Sequence, residues 1–244
     1  MDSGYYAAYA GLLARSQSLD VAAGNLSNAG TAGYRAERDY FRDVLMGPEA
    51  LSSRLGVTVN SFGVLGGSRL DLTQGASSPT GNPLDVAIEG EGFFAIQTAQ
   101  GVRYTRDGQF QRAQDGTLTT QAGEPVLDAR NRPISVPPGQ ITVGSDGAVS
   151  VGGAIAGAIA LFGFRASDLA AEGANRYVPV AGVAPRPAAG ALQQGALESS
   201  NQNVIGGSLQ LVLMQRQAEM MQKAVSIFSN DLDKAASEDL PRVP

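Results

Sequence analysis

Two seven-residue hydrophobic repeats lie at opposite ends of the chain, and the sequence between them has a different period. Tyr5, Tyr9, Leu12, Ser16, Leu19, Ala23 and Leu26 are spaced alternately four and three. That spacing predicts an amphipathic helix over residues 3 to about 28, apolar or aromatic along its seam except at Ser16. Asp2 or Ser3 can cap its start, and Gly30 and Gly33 stand where it would stop. Leu211, Met214, Ala218, Met221, Val225, Phe228 and Leu232 repeat the pattern and predict a second helix over about 204 to 237. Two such seams must find each other across roughly 170 residues, or be covered by other copies of the chain. The spacing is equally compatible with one domain whose end helices pack on its own sheet.

Between the helices the period falls to two. Residues 57–59, 85–88, 93–97, 102–105, 116–120, 141–143 and 148–151 are strand candidates. They alternate with Asp107-Gly108, Asp115-Gly116 and Asp146-Gly147, and Asp-Gly between alternating runs signals a hairpin. Pro179, Pro185 and Pro187 mark a loop on the way to the second helix. The expected class is α+β: paired N- and C-terminal coiled-coil-type helices with a central antiparallel β-rich domain. The expected divisions are an N-terminal helical segment 1–34, an extended linking region 35–82, a β-rich domain 83–197 and a C-terminal helical segment 198–244.

Composition removes several chemistries. The 244 residues include no Cys and no His, so there is no thiolate, no disulfide frame and no imidazole base or ligand. A formal net charge of −5 without a basic run disfavours binding to a phosphate backbone. The start Met1-Asp2-Ser3-Gly4-Tyr5 lacks the pattern of a secretory signal. The small-apolar stretch from Gly152 to Phe164 is too short and glycine-rich to span a bilayer. A cytosolic protein and one exported without a cleaved signal both fit.

Three local motifs have bland readings. Gly90-Glu91-Gly92-Phe93-Phe94-Ala95 looks like a dinucleotide fingerprint, but a strand rather than a helix follows it, so the glycines mark a turn or bulge. Glu89 and Glu91 share a strand face as a glycosidase pair would, yet the chain has no Trp to stack a sugar. Asn25-Leu26-Ser27 is a formal glycosylation sequon at a helix end, where Asn25 and Asn28 terminate the helix or bridge to Asn201 and Asn203 or to a neighbour.

Four segments resemble a known family, the axial proteins of the bacterial flagellar rod and hook. Asn25-Leu26-Ser27-Asn28-Ala29-Gly30-Thr31-Ala32-Gly33-Tyr34-Arg35 is similar to the signature that follows that family's first helix, with Ser27 in place of the usual Ala. Leu197-Glu198-Ser199-Ser200-Asn201-Gln202-Asn203-Val204 resembles the segment before its last helix, with Gln202 where Val is usual. Leu84-Asp85-Val86-Ala87-Ile88-Glu89-Gly90-Glu91-Gly92-Phe93-Phe94 and Tyr104-Thr105-Arg106-Asp107-Gly108-Gln109-Phe110 resemble a strand and a hairpin of its rod and hook subgroup. The start and the modest length look most like a proximal rod subunit, with the distal rod second.

The resemblance implies a structural subunit without catalytic residues, metal or cofactor. It also implies export through the flagellar type III apparatus, folding below a rod cap, and a place in the rod across the periplasm. Its partners would be copies of itself and neighbouring rod subunits, with no nucleic acid and no small-molecule substrate. The packing residues would be Tyr5, Tyr9, Leu12, Leu19 and Leu26, and Leu211, Met214, Met221, Val225, Phe228 and Leu232. The signature residues are Asn25, Asn28, Gly33, Asp85, Gly90, Gly92, Phe93, Tyr104, Asp107, Gly108, Asn201 and Asn203. A secreted β-rich binding module or adhesin is the reading from another class.

Overall fold

The computed structural model describes residues 2–42 and 64–238. The strand candidate at 57–59 lies outside them, as do the side chains of Tyr5, Phe228 and Leu232. The chain divides into two compact units: Met1–Leu26, Arg38–Ser68 and Val204–Pro244 form one, and Ser27–Glu37 with Arg69–Asn203 form the other.

The first unit holds the long helices α1 (Asp2–Ser27) and α2 (Val204–Glu238). A two-stranded sheet, β1 (Glu37–Arg42) with β2 (Val64–Leu70), lies mostly within it. On α1 the buried positions are Gly11, Ala14, Ser18, Ala22 and Asn25, spaced three and four. That stripe lies about one residue, or 100° of rotation, from the seam read in the sequence. Of the seam, Tyr9 is 54% exposed and Leu12, Leu19 and Leu26 are half-buried. The reason is size: the heptad pattern is carried by large apolar side chains, whereas the buried positions are Gly, Ala, Ser and Asn. On α2, Leu211, Met214, Met221 and Val225 are half-buried and Ala218 is buried, while the described positions between them are exposed. The stripe read in the sequence is therefore the less exposed face of α2.

The second unit is antiparallel in every described pairing. In chain order its strands are β3 (Ser77–Pro79), β4 (Val86–Glu89), β5 (Phe93–Thr98), β6 (Gly101–Thr105), β7 (Phe110–Arg112), β8 (Leu118–Thr120) and β9 (Ile141–Val143). They continue as β10 (Ala148–Val151), β11 (Ala154–Ala158), β12 (Leu161–Gly163), β13 (Leu169–Gly173), β14 (Arg176–Pro179), β15 (Arg186–Pro187), β16 (Ala191–Gln194) and β17 (Ala196–Glu198). The largest sheet runs β13-β14-β6-β5-β12-β15, a second runs β11-β10-β9, and β16-β4, β17-β3 and β7-β8 form pairs.

β5 explains why this unit holds together. Phe94 and Ile96 enter a cluster with Val86, Ile88, Phe110, Leu118 and Val126, while Phe93 and Ala95 enter a second with Tyr104, Leu127 and Tyr177. Both faces of β5 are covered, so its sequence is a continuous apolar run rather than an alternating one.

Two of the three Asp-Gly pairs close hairpins. Asp115 accepts the Thr117 amide at 2.9 Å between β7 and β8, and Asp146 accepts the Ala148 amide at 3.0 Å between β9 and β10. Gly116 and Gly147 take the positive φ these turns need, +88° and +87°. Asp107-Gly108 does not close a hairpin: the chain leaves β6 in the large sheet and enters β7, which pairs β8. Gly108 instead lets two backbones touch. The Val86 amide donates to its carbonyl at 3.0 Å, and a Cβ on Gly108 would overlap the Val86 carbonyl. The prediction is that Gly108→Ala destabilises the protein by about 3 kcal/mol, a fall in Tm of about 6–12 °C. Gly30→Ala, with nothing within 4 Å of the new carbon, should change stability by less than about 0.5 kcal/mol. Thermal unfolding followed by circular dichroism distinguishes the two.

Candidate functional site

The segment after α1 and the segment before α2 are pinned side by side in the β unit. The first begins with a turn: Thr31 donates from its amide to the Asn28 carbonyl at 3.1 Å and from its hydroxyl to the Asn28 side chain at 3.2 Å. Gly33 follows with φ +67°. Its amide donates to the Glu198 carbonyl at 2.7 Å, and a Cβ there would overlap the Arg106 backbone. Glu198 ends β17, which continues β16 past a kink at Gly195, where φ is +74°.

Glu198 is the hub. Its carboxylate is fully buried and accepts Nη2 of Arg35 at 2.5 Å, Nη1 of Arg106 at 2.9 and 3.2 Å, and the Gly75 amide at 2.8 Å. Arg106 also donates from Nε to the Gly92 carbonyl at 2.7 Å and from Nη2 to the Gly90 carbonyl, and lies over the Phe93 ring at 5.5 Å. So the glycines at 90 and 92 shape a turn whose carbonyls hold a guanidinium, not a phosphate. Burial and the neighbouring Arg35 guanidinium lower the Arg106 pKa below its usual value, with Glu198 opposing the shift. Nε and Nη1 of Arg35 have no hydrogen-bond partner among the described residues.

Two further groups complete the lock. The Arg35 amide donates to the Tyr177 hydroxyl at 3.0 Å, which donates in turn to Asn175 at 3.0 Å. Burial raises the Tyr177 pKa well above the usual phenol range. Asn175 turns its amide to the Ala32 carbonyl at 2.7 Å. On the other side, Asn201 accepts the Ala36 amide at 2.8 Å and donates to the carbonyls of Asp71 at 2.7 Å and Thr73 at 3.1 Å. Its backbone amide donates to the Tyr34 carbonyl at 3.3 Å. Asn201 therefore bridges to residues 36, 71 and 73.

Of the signature residues, Gly33, Gly90, Gly92, Phe93 and Asn201 converge on this cluster. Tyr104 lies in the adjoining aromatic group, 4.6 Å between ring centroids from Phe164. Asp85, Asp107 and Gly108 form a separate backbone crossing: Asp85 accepts Asn82 at 2.9 Å, and Asp107 accepts the Gln109 amide at 3.0 Å. Asn203 is exposed and Asn25 is buried in the last turn of α1. Glu89 and Glu91 are exposed. The residues that sequence reasoning did not single out are the three charges themselves, Arg35, Arg106 and Glu198. Each stands within a different one of the motifs, and nothing local in the sequence pairs them.

A carboxylate wholly enclosed and shared between two guanidiniums cannot reach a substrate; the arrangement joins chain segments. The comparisons agree. Residues 87–151 match the domain described as Flagellar hook protein FlgE/F/G D1 domain. The chain is 35% identical to the flagellar basal-body rod protein FlgF of Caulobacter vibrioides, over 100% of both chains. It is 33% identical to FlgF of Escherichia coli over 94% of this chain and 96% of that one. It is 32% identical to the flagellar basal-body rod protein FlgG of Bacillus subtilis over 91% and 93%. The class is a structural, non-enzymatic protein. The chain belongs to the family of flagellar basal-body rod proteins and, within it, most resembles the FlgF proteins of the proximal rod.

Two predictions follow the geometry. Asn201→Ala leaves an amide and two carbonyls without their partner and should cost about 2–3 kcal/mol by denaturant unfolding. Asp107 is pushed up mainly by burial, with the Gln109 amide opposing. A carboxyl raised in the fold contributes stability below its unfolded pKa of about 3.9, and that contribution is lost as pH rises through the folded value. Stability relative to Asp107→Asn should therefore fall as pH rises above about 4. A constant difference over that rise would contradict the assignment.

Proposed function

We propose that this chain is a self-assembling subunit of the flagellar drive shaft, in its proximal rather than distal part, polymerising through its terminal helices. The observation that carries the reading is that α2 has two apolar sides. Besides the half-buried stripe, Ile205, Leu209, Leu213, Met220 and Ile227 are 60–73% exposed. At 100° per residue they cluster about 150° from the first stripe. A helix apolar on both sides needs cover on both sides, and copies of itself and neighbouring rod subunits are what a helical polymer provides. Tyr9 and Leu13 of α1, both more than half exposed, add to the uncovered surface.

The proximal assignment is supported by FlgF relatives at 33–35% identity over 90–100% of this chain, against 31–32% for the FlgG relatives. Export by the flagellar type III apparatus, assembly below a rod cap and a position across the periplasm accompany this reading. No described helix is long and apolar enough to cross a membrane.

The test is positional. Leu213→Asp places a charge on the exposed stripe and Met221→Asp on the half-buried one; Gln222→Asp lies between them. A carboxylate buried without a partner costs several kcal/mol. Leu213→Asp should leave the melting of the isolated chain unchanged and abolish rod assembly and motility. Met221→Asp should abolish both and also lower melting slightly. Gln222→Asp should swim. Equal motility for all three would defeat the reading.

A further inference from the structure

Sheet edges expose backbone donors and acceptors that can pair with another chain, and proteins usually blunt them with charge, Pro or brevity. Some described edges of the β unit are blunted. β15 is two residues, Arg186 and Pro187, and β3 ends in Pro79. Two are not. β11 ends the three-stranded sheet with the sequence Ala-Ile-Ala-Gly-Ala, and its Ile155 is 80% exposed, the highest of any large hydrophobic described. No charged residue occurs between Asp146 and Arg165. β13 ends the six-stranded sheet with Leu-Ala-Ala-Glu-Gly, exposed after Leu169. Its one charge, Glu172, is already held by Arg103, whose Nη2 donates to it at 2.7 Å.

We propose that β11 of one copy adds to β13 of the next, a β-strand contact between the β units of successive subunits. This rests on the reading of the chain as a self-assembling rod subunit. The two edges match in length, five residues each, and in bulk. Ala171, with its small side chain, leaves room on one face for a single large neighbour across the strands, Ile155. Neither edge brings an unpaired charge. The edges are not one patch: β11 runs through Ile159 and Ala160 into β12, and β13 lies four strand positions along the sheet from β12, about 19 Å. A contact between two different patches repeats without closing, as an open helical polymer requires. Five paired residues bury far less than the ~1,200 Å² of a stable complex. The contact therefore forms only where the terminal helices already hold copies together, and the edge does not dimerise the free chain.

The chain has no Cys, so the pairing can be read by cross-linking. Ile155→Cys/Ala171→Cys is expressed as the sole copy, and basal bodies are oxidised and run without reductant. The expected result is a dimer and higher multiples, absent from either single variant. Intact rods without that ladder, a ladder from Ile155→Cys alone, or a cross-link only to another protein overturns the proposal. Ile155→Lys gives a second readout: a several-fold smaller swim ring with unchanged melting, while Gln121→Lys, exposed and off both edges, swims normally. Wild-type swimming of Ile155→Lys overturns the pairing. If Leu213→Asp and Met221→Asp abolish assembly in the same strain, the helix reading survives that failure; if they too swim, both ideas fall.

Discussion

A carboxylate removed from water must be neutralised and hydrogen-bonded, and Glu198 meets that requirement with groups from four distant parts of the chain. Arg35 comes from the segment after α1, Gly75 from the stretch after β2, Arg106 from the end of β6, and Glu198 itself from the end of β17. An ion cluster of this kind adds little net stability compared with an apolar core of the same volume. What it adds is position: removing Glu198 would leave two guanidiniums buried without a counter-charge, so the segments that carry them are held where Glu198 stands.

The glycines around the cluster follow from that constraint. Gly33 and Gly75 sit where a side chain would overlap the backbone of Arg106 and Ser199 respectively. Gly190 abuts the Glu91 carbonyl in the same way. Backbones that come this close can exchange hydrogen bonds, as the Gly33 amide does with the Glu198 carbonyl. The result suits a rod protein, whose β unit must fix where the chain leaves for one terminal helix and returns from the other. Both segments, 27–37 and 198–203, belong to that unit.

Much of this was legible in the residues, for physical reasons that also explain the rest. The helices announce themselves by heptads, and α2 falls within a residue of its expected bounds. β9 and β10 coincide with their alternating runs because a two-stranded hairpin is a local structure. The six-stranded order β13-β14-β6-β5-β12-β15 was not legible, since it joins segments far apart in sequence that no period connects. Asp107-Gly108 misled because its Gly serves a close approach and not a turn. The covered stripe of α1 was missed because Gly11, Ala14 and Ser18 carry a weaker hydrophobic signal than the Tyr and Leu of the heptad. At the site, the motif glycines and Asn201 were visible as punctuation, but the charges that give them meaning were not singled out, because burial of an Arg can be inferred only once its partner is placed.

The most direct measurement is a double-mutant cycle on the intact chain, with Arg35→Met, Glu198→Met and the pair together, followed by denaturant unfolding. If the buried cluster pins the two segments, the two positions are strongly coupled. Glu198→Met alone should cost about 3–5 kcal/mol, and the double variant should fall short of the sum of the singles by about 2 kcal/mol or more. Additivity within about 0.5 kcal/mol would mean that Arg35 and Glu198 are independent, and would contradict the account.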